Sequence, residues 1–283
     1  MTDPKKPNKP TILITGCSSG IGLDAAIRMT KEGWHVYATC RNITDCMKLQ
    51  AQGFASFPLD YTDTASITRA VATIKERGGL HALFNNGAFA LPGALEDLPT
   101  DGLREIFEAN LFGYHELTRQ VIPIMRAQGH GKIVNCSSVL GLVPAKYRGA
   151  YVATKYALEG LTDVLRLELA SANIQVVLIE PGPIKTKIRE NARGPFEKWI
   201  DWQNSPRRAE YETKIMPRLY NDNPDPDAFE LQASAVSDKL LHAVSVPYPA
   251  ARYRVTGATY LSDVARRVLP TKALDWVINK VEK

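Results

Sequence analysis

Along most of its length the chain alternates short runs of β-branched and apolar residues with stretches of helical periodicity. The runs Thr11–Thr15, His35–Cys40, Ser56–Asp60, Ala82–Asn86, Lys132–Ser138, Gln175–Glu180 and Tyr253–Thr256 read as strands. Most are too apolar to keep one wet face, as expected when helices cover both sides of a sheet. Helical stretches over Ile21–Glu32, Ala65–Arg77, Leu103–Gln128 and Ala150–Ala172 separate them. Such alternation demands right-handed crossovers and a parallel sheet. The expected fold is α/β, a doubly wound parallel sheet in a single domain over residues 11–283. A Pro/Lys-rich segment, residues 1–10, is expected to be a mobile tail. The irregular stretch at about 183–227, rich in Pro, Asn, Arg and aromatics, reads as a lid-like insertion, because the chain returns from it to a strand of the same sheet.

Composition narrows the function. The 283 residues carry 35 Lys plus Arg and 30 Asp plus Glu, a net charge of +5 with no dense basic block, so nucleic acid is not an expected partner. No apolar run approaches the ~18 residues of a membrane-spanning helix. The first ten residues lack the apolar core of a secretory signal. Cys17, Cys40, Cys46 and Cys136 show no C-x-x-C spacing, so neither a zinc knot nor a disulfide framework is expected, and the four thiols fit a cytoplasmic location. No cluster of His, Cys, Asp and Glu has metal-ligand spacing.

The segment Thr11-Ile-Leu-Ile-Thr-Gly-Cys-Ser-Ser-Gly-Ile-Gly22 runs from strand through tight turn into helix. Gly16 permits the turn, Gly20 lets backbone approach a pyrophosphate, and Gly22 allows close packing of helix on strand. A phosphate would then meet the free amides and positive end of the following helix. A glycine-rich turn can serve packing alone, but its place in the first β-α-β unit favours a dinucleotide. A P-loop pattern is absent, which disfavours phosphoryl transfer.

The spacing T-G-x-x-x-G-x-G, with Ser18, Ser19 and Ile21 between the glycines, resembles that of the short-chain dehydrogenase/reductase family, whose fold is Rossmann-like. At the end of the second strand, where an acidic residue would hold the ribose 2′-hydroxyl of NAD, the chain has Cys40 and then Arg41. A guanidinium there matches a 2′-phosphate, so NADP(H) is the expected cofactor. The resemblance implies adenine contact for Asp60, which could equally be a cap or turn residue. It also aligns Asn85-Asn86-Gly87-Ala88 with the family's N-N-A-G motif, the last two residues exchanged, and places Asn86 and Gly87 at the cofactor. Pro181 and Gly182 correspond to the family's P-G motif beside the nicotinamide, with Ile184 and Thr186 near its carboxamide.

Tyr151-x-x-x-Lys155 puts both side chains on one helix face. Ser138 ends a strand 13 residues upstream, at the carboxyl edge where open α/β sheets bind ligands. With Asn110 the four resemble the family's catalytic tetrad. A tyrosine titrating near ~10 needs help as an acid–base group, and a nearby ammonium would lower its pKa. Ser138 would hydrogen-bond the substrate oxygen. The resemblance further assigns Lys155 to the nicotinamide ribose and Asn110 to a water linking Lys155 to solvent.

Val139, Leu140, Leu142, Val143 and Tyr147 follow the serine, Phe89 and Leu91 follow the fourth strand, and the insertion adds Phe196, Trp199, Trp202, Tyr211, Met216 and Tyr220. If these line the site, the substrate is apolar and fairly large; each could instead pack the insertion onto the domain. The expected activity is NADPH-dependent reduction of an apolar aldehyde or ketone, reversible as an alcohol dehydrogenase, with a hydroxysteroid or retinol dehydrogenase as the alternative. A non-catalytic NADP(H)-binding sensor is the reading from another class, although such a protein would be expected to lose part of the Ser–Tyr–Lys set. The glycine spacing disfavours a nucleotide-sugar epimerase. Leu274, Val277, Ile278 and Val281 form a C-terminal apolar stripe near Lys272, Lys280 and Lys283. It is expected on the body or at a subunit interface, with weak contact to a membrane surface as the alternative. The family resemblance implies a homodimer or homotetramer.

Overall fold

The computed structural model describes residues 9–281, so the expected tail falls almost wholly outside the described residues, as does the side chain of Val281. Seven strands form one sheet: β1 (Thr11–Thr15), β2 (His35–Cys40), β3 (Ala55–Pro58), β4 (Ala82–Asn85), β5 (Gly131–Cys136), β6 (Ile174–Glu180) and β7 (Arg252–Arg254). Their order is β3-β2-β1-β4-β5-β6-β7 and every pairing is parallel. The strand order therefore reverses between β1 and β4, the switch point that opens a crevice at the carboxyl edge.

Alternation along the strands builds two cores. Ile12 and Ile14 of β1 face one way, into a cluster with Ala25, Met29, Val36, Phe84 and Leu240. Leu13, between them, faces the other way, into a cluster with Ile67, Leu83, Leu117, Val121 and Ile133. The first face is covered by α1 (Gly20–Lys31), α2 (Ile43–Ala51) and, further along the chain, a helix over Ser234–Ser245. The second is covered by α3 (Thr64–Glu76), α5 (Gly113–Gln128) and α6 (Gly149–Leu169), with α4 (Thr100–Phe107) leading into α5.

The strands match expectation within about two residues. Three helical features correct it. The stretch expected as one helix over Leu103–Gln128 begins at Thr100 and is interrupted by a π turn over Glu108–Phe112, which widens the backbone around Asn110. The helix expected over Ala150–Ala172 runs Gly149–Leu169 and tightens to a 3₁₀ turn at Ala170–Ala172. The insertion is partly helical, with α7 (Ile188–Asn191), α8 (Arg193–Trp199), α9 (Arg208–Glu210) and α10 (Met216–Leu219), followed by α11 (Ser234–Ser245). Two more helices, α12 (Gly257–Val268) and α13 (Thr271–Val281), close the chain. On α13, Leu274, Val277 and Ile278 are half-buried, while Trp276 is exposed. No helix among the described residues is long and apolar enough to cross a membrane.

The insertion packs through a third cluster, in which Phe196, Ile200, Tyr211, Ile215 and Leu219 meet Leu91, Ile106, Ala150 and Tyr151. Phe196 and Tyr211 are fully buried, so they hold the insertion to the domain rather than lining an open wall. The Tyr211 hydroxyl donates to Asp97 at 2.7 Å and accepts from the Ala94 amide at 2.8 Å. Ser205 also donates to Asp97, at 2.8 Å, and the indole N–H of Trp199 donates to Glu105 at 2.9 Å. The Tyr147 hydroxyl donates to Glu210 from a left-handed backbone, φ +59°.

Candidate active site

The switch point is built from glycine. Gly16 follows β1 at φ +71°, and a Cβ there would stand 2.6 Å from the Gly87 Cα after β4. On α1, a Cβ at Gly22 would stand 2.2 Å from the Gly16 carbonyl oxygen, so the helix can approach the turn only without a side chain. Ser19 is the N-cap of α1, yet no side chain bonds the first amides of the helix. Those amides and the dipole of a twelve-residue helix face the crevice and can receive an anion. Thr186, after β6, lies opposite Gly20, close enough that a Cβ on the glycine would come 3.1 Å from the threonine methyl.

The asparagines of the fourth strand divide their work. Asn86 donates from its side chain to the Thr15 carbonyl at 2.9 Å, tying β4 to the glycine turn. Asn85 is fully buried, donating to Thr118 and Asn135 at 3.0 and 2.9 Å and accepting from Tyr61 at 3.0 Å. Asp60 takes the turn role at its Oδ1, which accepts from the Thr62 amide and hydroxyl, each at 2.9 Å. Arg41 is exposed after Cys40, with no acidic partner among the described residues. Pro181 accepts a 2.7 Å bond from the Val139 amide, joining the β6 end to the loop after Ser138. Gly182 packs against Thr256, and Ile184 pairs with Leu231 and rests on the first core. Ser18 is exposed beside the turn, and Ile21 packs inward from α1.

The four residues expected to carry chemistry meet at the carboxyl edge of β4 and β5. Ser138 is buried at the strand end; its Oγ accepts from the Leu140 amide at 3.1 Å, which leaves its proton free to donate, and it bears on the Tyr151 hydroxyl. The Tyr151 pKa is raised, chiefly by burial and next by the Cys136 thiol, against which the Ser138 hydroxyl pulls downward. Lys155 is 1% exposed, between the rings of Tyr114 and Tyr151 at 5.4 and 5.5 Å, and its ammonium donates to the Cys136 carbonyl at 2.7 Å. Burial pushes its pKa down to about 8, against the influence of Cys136 and Glu159. The lysine was expected to lower the tyrosine pKa; burial outweighs any such effect here.

Asn110 is fully buried at the π turn. Its Nδ2 donates to the Phe89 carbonyl at 2.9 Å and its Oδ1 accepts from the Phe89 amide at 3.1 Å. Nδ2 also reaches the Thr154 hydroxyl at 3.4 Å, which donates to the Tyr151 carbonyl at 2.8 Å. A plain α-helix would carry residue 110 around the axis by a different amount, so the extra residue of the π turn is what aims this side chain. The sequence reading missed the roles of Thr154 and Cys136 and gave Phe89 only as a pocket candidate; Cys136 and Phe89 act here through backbone atoms that leave no mark on residue type.

The model of the short chain dehydrogenase family matches residues 10–195, from the start of the sheet through Tyr151, Lys155 and the Pro181-Gly182 bend. The chain belongs to that family. Short-chain dehydrogenases are NAD(P)-dependent oxidoreductases, and this assignment brings with it a dinucleotide cofactor and a small-molecule substrate. Among relatives, an uncharacterized oxidoreductase of Escherichia coli K12, YbbO, is 37% identical over 276 residues, spanning 96% of this chain and 95% of the relative. The NADPH-dependent 3-dehydrocapnine reductase of Ornithobacterium rhinotracheale is 29% identical over 278 residues, with 95% of both chains covered. Among solved structures, a short-chain dehydrogenase from Streptomyces avermitilis superposes with a TM-score of 0.77 at 28% identity, covering 98% of this chain and 96% of that one.

Proposed function

We propose that this short-chain dehydrogenase reduces an apolar aldehyde or ketone with NADPH, using Tyr151 as the proton donor. The observation that carries the reading is the gathering of Ser138, Tyr151 and Lys155 at the carboxyl edge, all three buried and the ammonium 5.5 Å from the tyrosine ring, with burial keeping the tyrosine protonated. A protonated tyrosine beside a hydroxyl donor suits carbonyl reduction, where the developing alkoxide must take up a proton.

The residues present fit the dinucleotide. A side chain at Gly22 would fill the turn, the first amides of α1 carry no side-chain cap, and Arg41 is exposed at the end of β2 with no acidic partner among the described residues. When bound, NADPH supplies the hydride. Gly16, Gly20 and Gly22 with Ser18, Ser19 and Ile21 would form the pyrophosphate turn, and Arg41 would meet the 2′-phosphate. Asp60, Asn86 and Gly87 would flank the adenosine, while Pro181, Gly182, Ile184, Thr186 and Lys155 would flank the nicotinamide end. Ser138 holds the substrate oxygen, Tyr151 gives it the proton, and Lys155 keeps a positive charge behind the tyrosine. Asn110 fixes the Phe89 backbone and, through Thr154, the turn of α6 that carries Tyr151.

An apolar substrate is supported by the half-buried Phe89, Leu140, Tyr147, Trp199 and Met216, which pack against the same cluster as Tyr151. The name of the Ornithobacterium relative, an NADPH-dependent reductase, supports the cofactor and the direction. The test is cofactor oxidation, NADPH and NADH in parallel, against medium- and long-chain aldehydes, aromatic aldehydes, ketosteroids and retinal. Turnover with NADPH on an apolar carbonyl supports the reading; turnover confined to polar or charged carbonyls, or to NADH, would overturn it.

A further inference from the structure

Tyr151, Lys155 and Glu159 follow one another at four-residue intervals on α6, so they share one face of that helix. Glu159 is buried, and its Oε1 has no hydrogen-bond partner among the described residues. Facing it from the end of β5 is the Ser137 hydroxyl, the residue before Ser138; both Ser137 Oγ and Glu159 Oε1 lie against Gly141. From β7, Arg252 donates to Glu159, to Glu180 at 2.6 Å and to Asp163 at 2.6 Å. Glu180 is fully buried at the last position of β6, directly before Pro181 and Gly182. One guanidinium thus joins the catalytic face of α6 to the strand end that leads into the proposed nicotinamide segment. Arg254 adds a looser contact to Glu180 at 3.9 Å and a close one to Asp263 of α12, and Arg166 takes the other oxygen of Asp163.

A carboxylate in such a place is costly unless its charge is used, since burial disfavours the ionised form. Burial, and next the neighbouring Glu180, push its pKa up to about 7 against the pull of Arg252. It is therefore ionised above neutrality, the range in which Lys155 would otherwise surrender its proton. A neutral amide would fill the same space and still accept a hydrogen bond from Arg252; only a carboxylate puts a negative charge one turn from a buried ammonium.

Resting on the assignment of Tyr151 and Lys155 above, we propose that Glu159 is a positioning residue for the reduction: it supplies the negative charge behind the Lys155 ammonium and, through Arg252, fixes the Tyr151–Lys155 face of α6 against the strand end that carries Pro181 and Gly182. The charged groups that bear on it are Lys155, Asp163 and Arg166 from α6, Glu180 from β6, Arg252 and Arg254 from β7, and Asp263 from α12.

The variant Glu159→Gln keeps the shape and leaves Arg252 its bonds to Glu180 and Asp163. In the full chain labelled with ¹³C at its lysines, the Lys155 resonance, assigned by its loss in Lys155→Met, should titrate at lower pH in Glu159→Gln than in wild type, and Glu159→Asp should restore part of the difference. On the alkaline side, kcat for reduction should fall about threefold to tenfold relative to wild type, the equivalent of half to one pH unit, while KM for NADPH stays within about twofold. An unmoved Lys155 titration overturns the proposal even if the variant melts lower, and that measurement needs no turnover. Turnover surviving in Tyr151→Phe would instead remove the catalytic reading, so the two failures are separable.

Discussion

Lys155 donates its ammonium to the Cys136 carbonyl across 2.7 Å, which ties the helix carrying Tyr151 to the strand that ends at Ser138. Because this amine is buried, its charge is at once a structural cost and the feature that ties it to catalysis. Its folded-state pKa, about 8, lies below the ordinary 10.5, so the folded protein gives up this proton first. The linkage sign follows: the group depresses stability below about pH 8, and that cost is relieved as pH rises toward 10.5. Reduction, which uses the ammonium, should lose rate over the same rise. Lys155→Met should lower kcat about a hundredfold or more while melting within about 3 °C of wild type, as read by steady-state kinetics and thermal unfolding.

Arg41 offers its guanidinium to solvent, with no acidic partner among the described residues. A charge-assisted bond to a phosphate is worth about 1.5–3 kcal/mol. Arg41→Ala should therefore raise KM for NADPH about tenfold to a hundredfold and leave KM for NADH nearly unchanged. An unaltered ratio would mean that the 2′-phosphate is held elsewhere.

Asn110 satisfies both the amide and the carbonyl of Phe89 from the π turn. Asn110→Ala leaves two backbone groups short of partners at a loss of about 2 kcal/mol or more. A lower denaturation midpoint with an unchanged slope in urea is the expected result, together with reduced turnover.

Gly22 has the Gly16 carbonyl where its Cβ would be. Gly22→Ala must push α1 away from the turn and should weaken NADPH binding at least about tenfold in a fluorescence titration. Gly33, after α1, meets nothing within 4 Å of such a Cβ but sits at φ +88°, so Gly33→Ala is the control that strains backbone without touching the crevice.

Strand positions and the four catalytic candidates were legible because each rests on a local signal, such as β-branched runs, glycine spacing or a four-residue helical interval. What escaped was set by the third dimension. α2 buries only Cys46 and Leu49, too few apolar positions to read as a periodic face, although Asn42 caps it. α12 buries Thr259 and exposes Leu261, Val264 and Val268, inverting the usual pattern. The π turn at Asn110 meets the Phe89 backbone 21 residues away, and Phe196 and Tyr211 look like pocket residues until packing turns them inward. Glu159 carried a four-residue interval from Lys155, but the partner that gives it meaning, Arg252, lies 93 residues away.

The most direct test of the account compares wild type with Tyr151→Phe for NADPH oxidation on an aldehyde or ketone that the wild type reduces, with NADPH affinity measured on both. Loss of turnover by about a hundredfold or more, at equal NADPH affinity, is the predicted result. Turnover in Tyr151→Phe close to that of wild type would contradict the assignment of the proton to Tyr151.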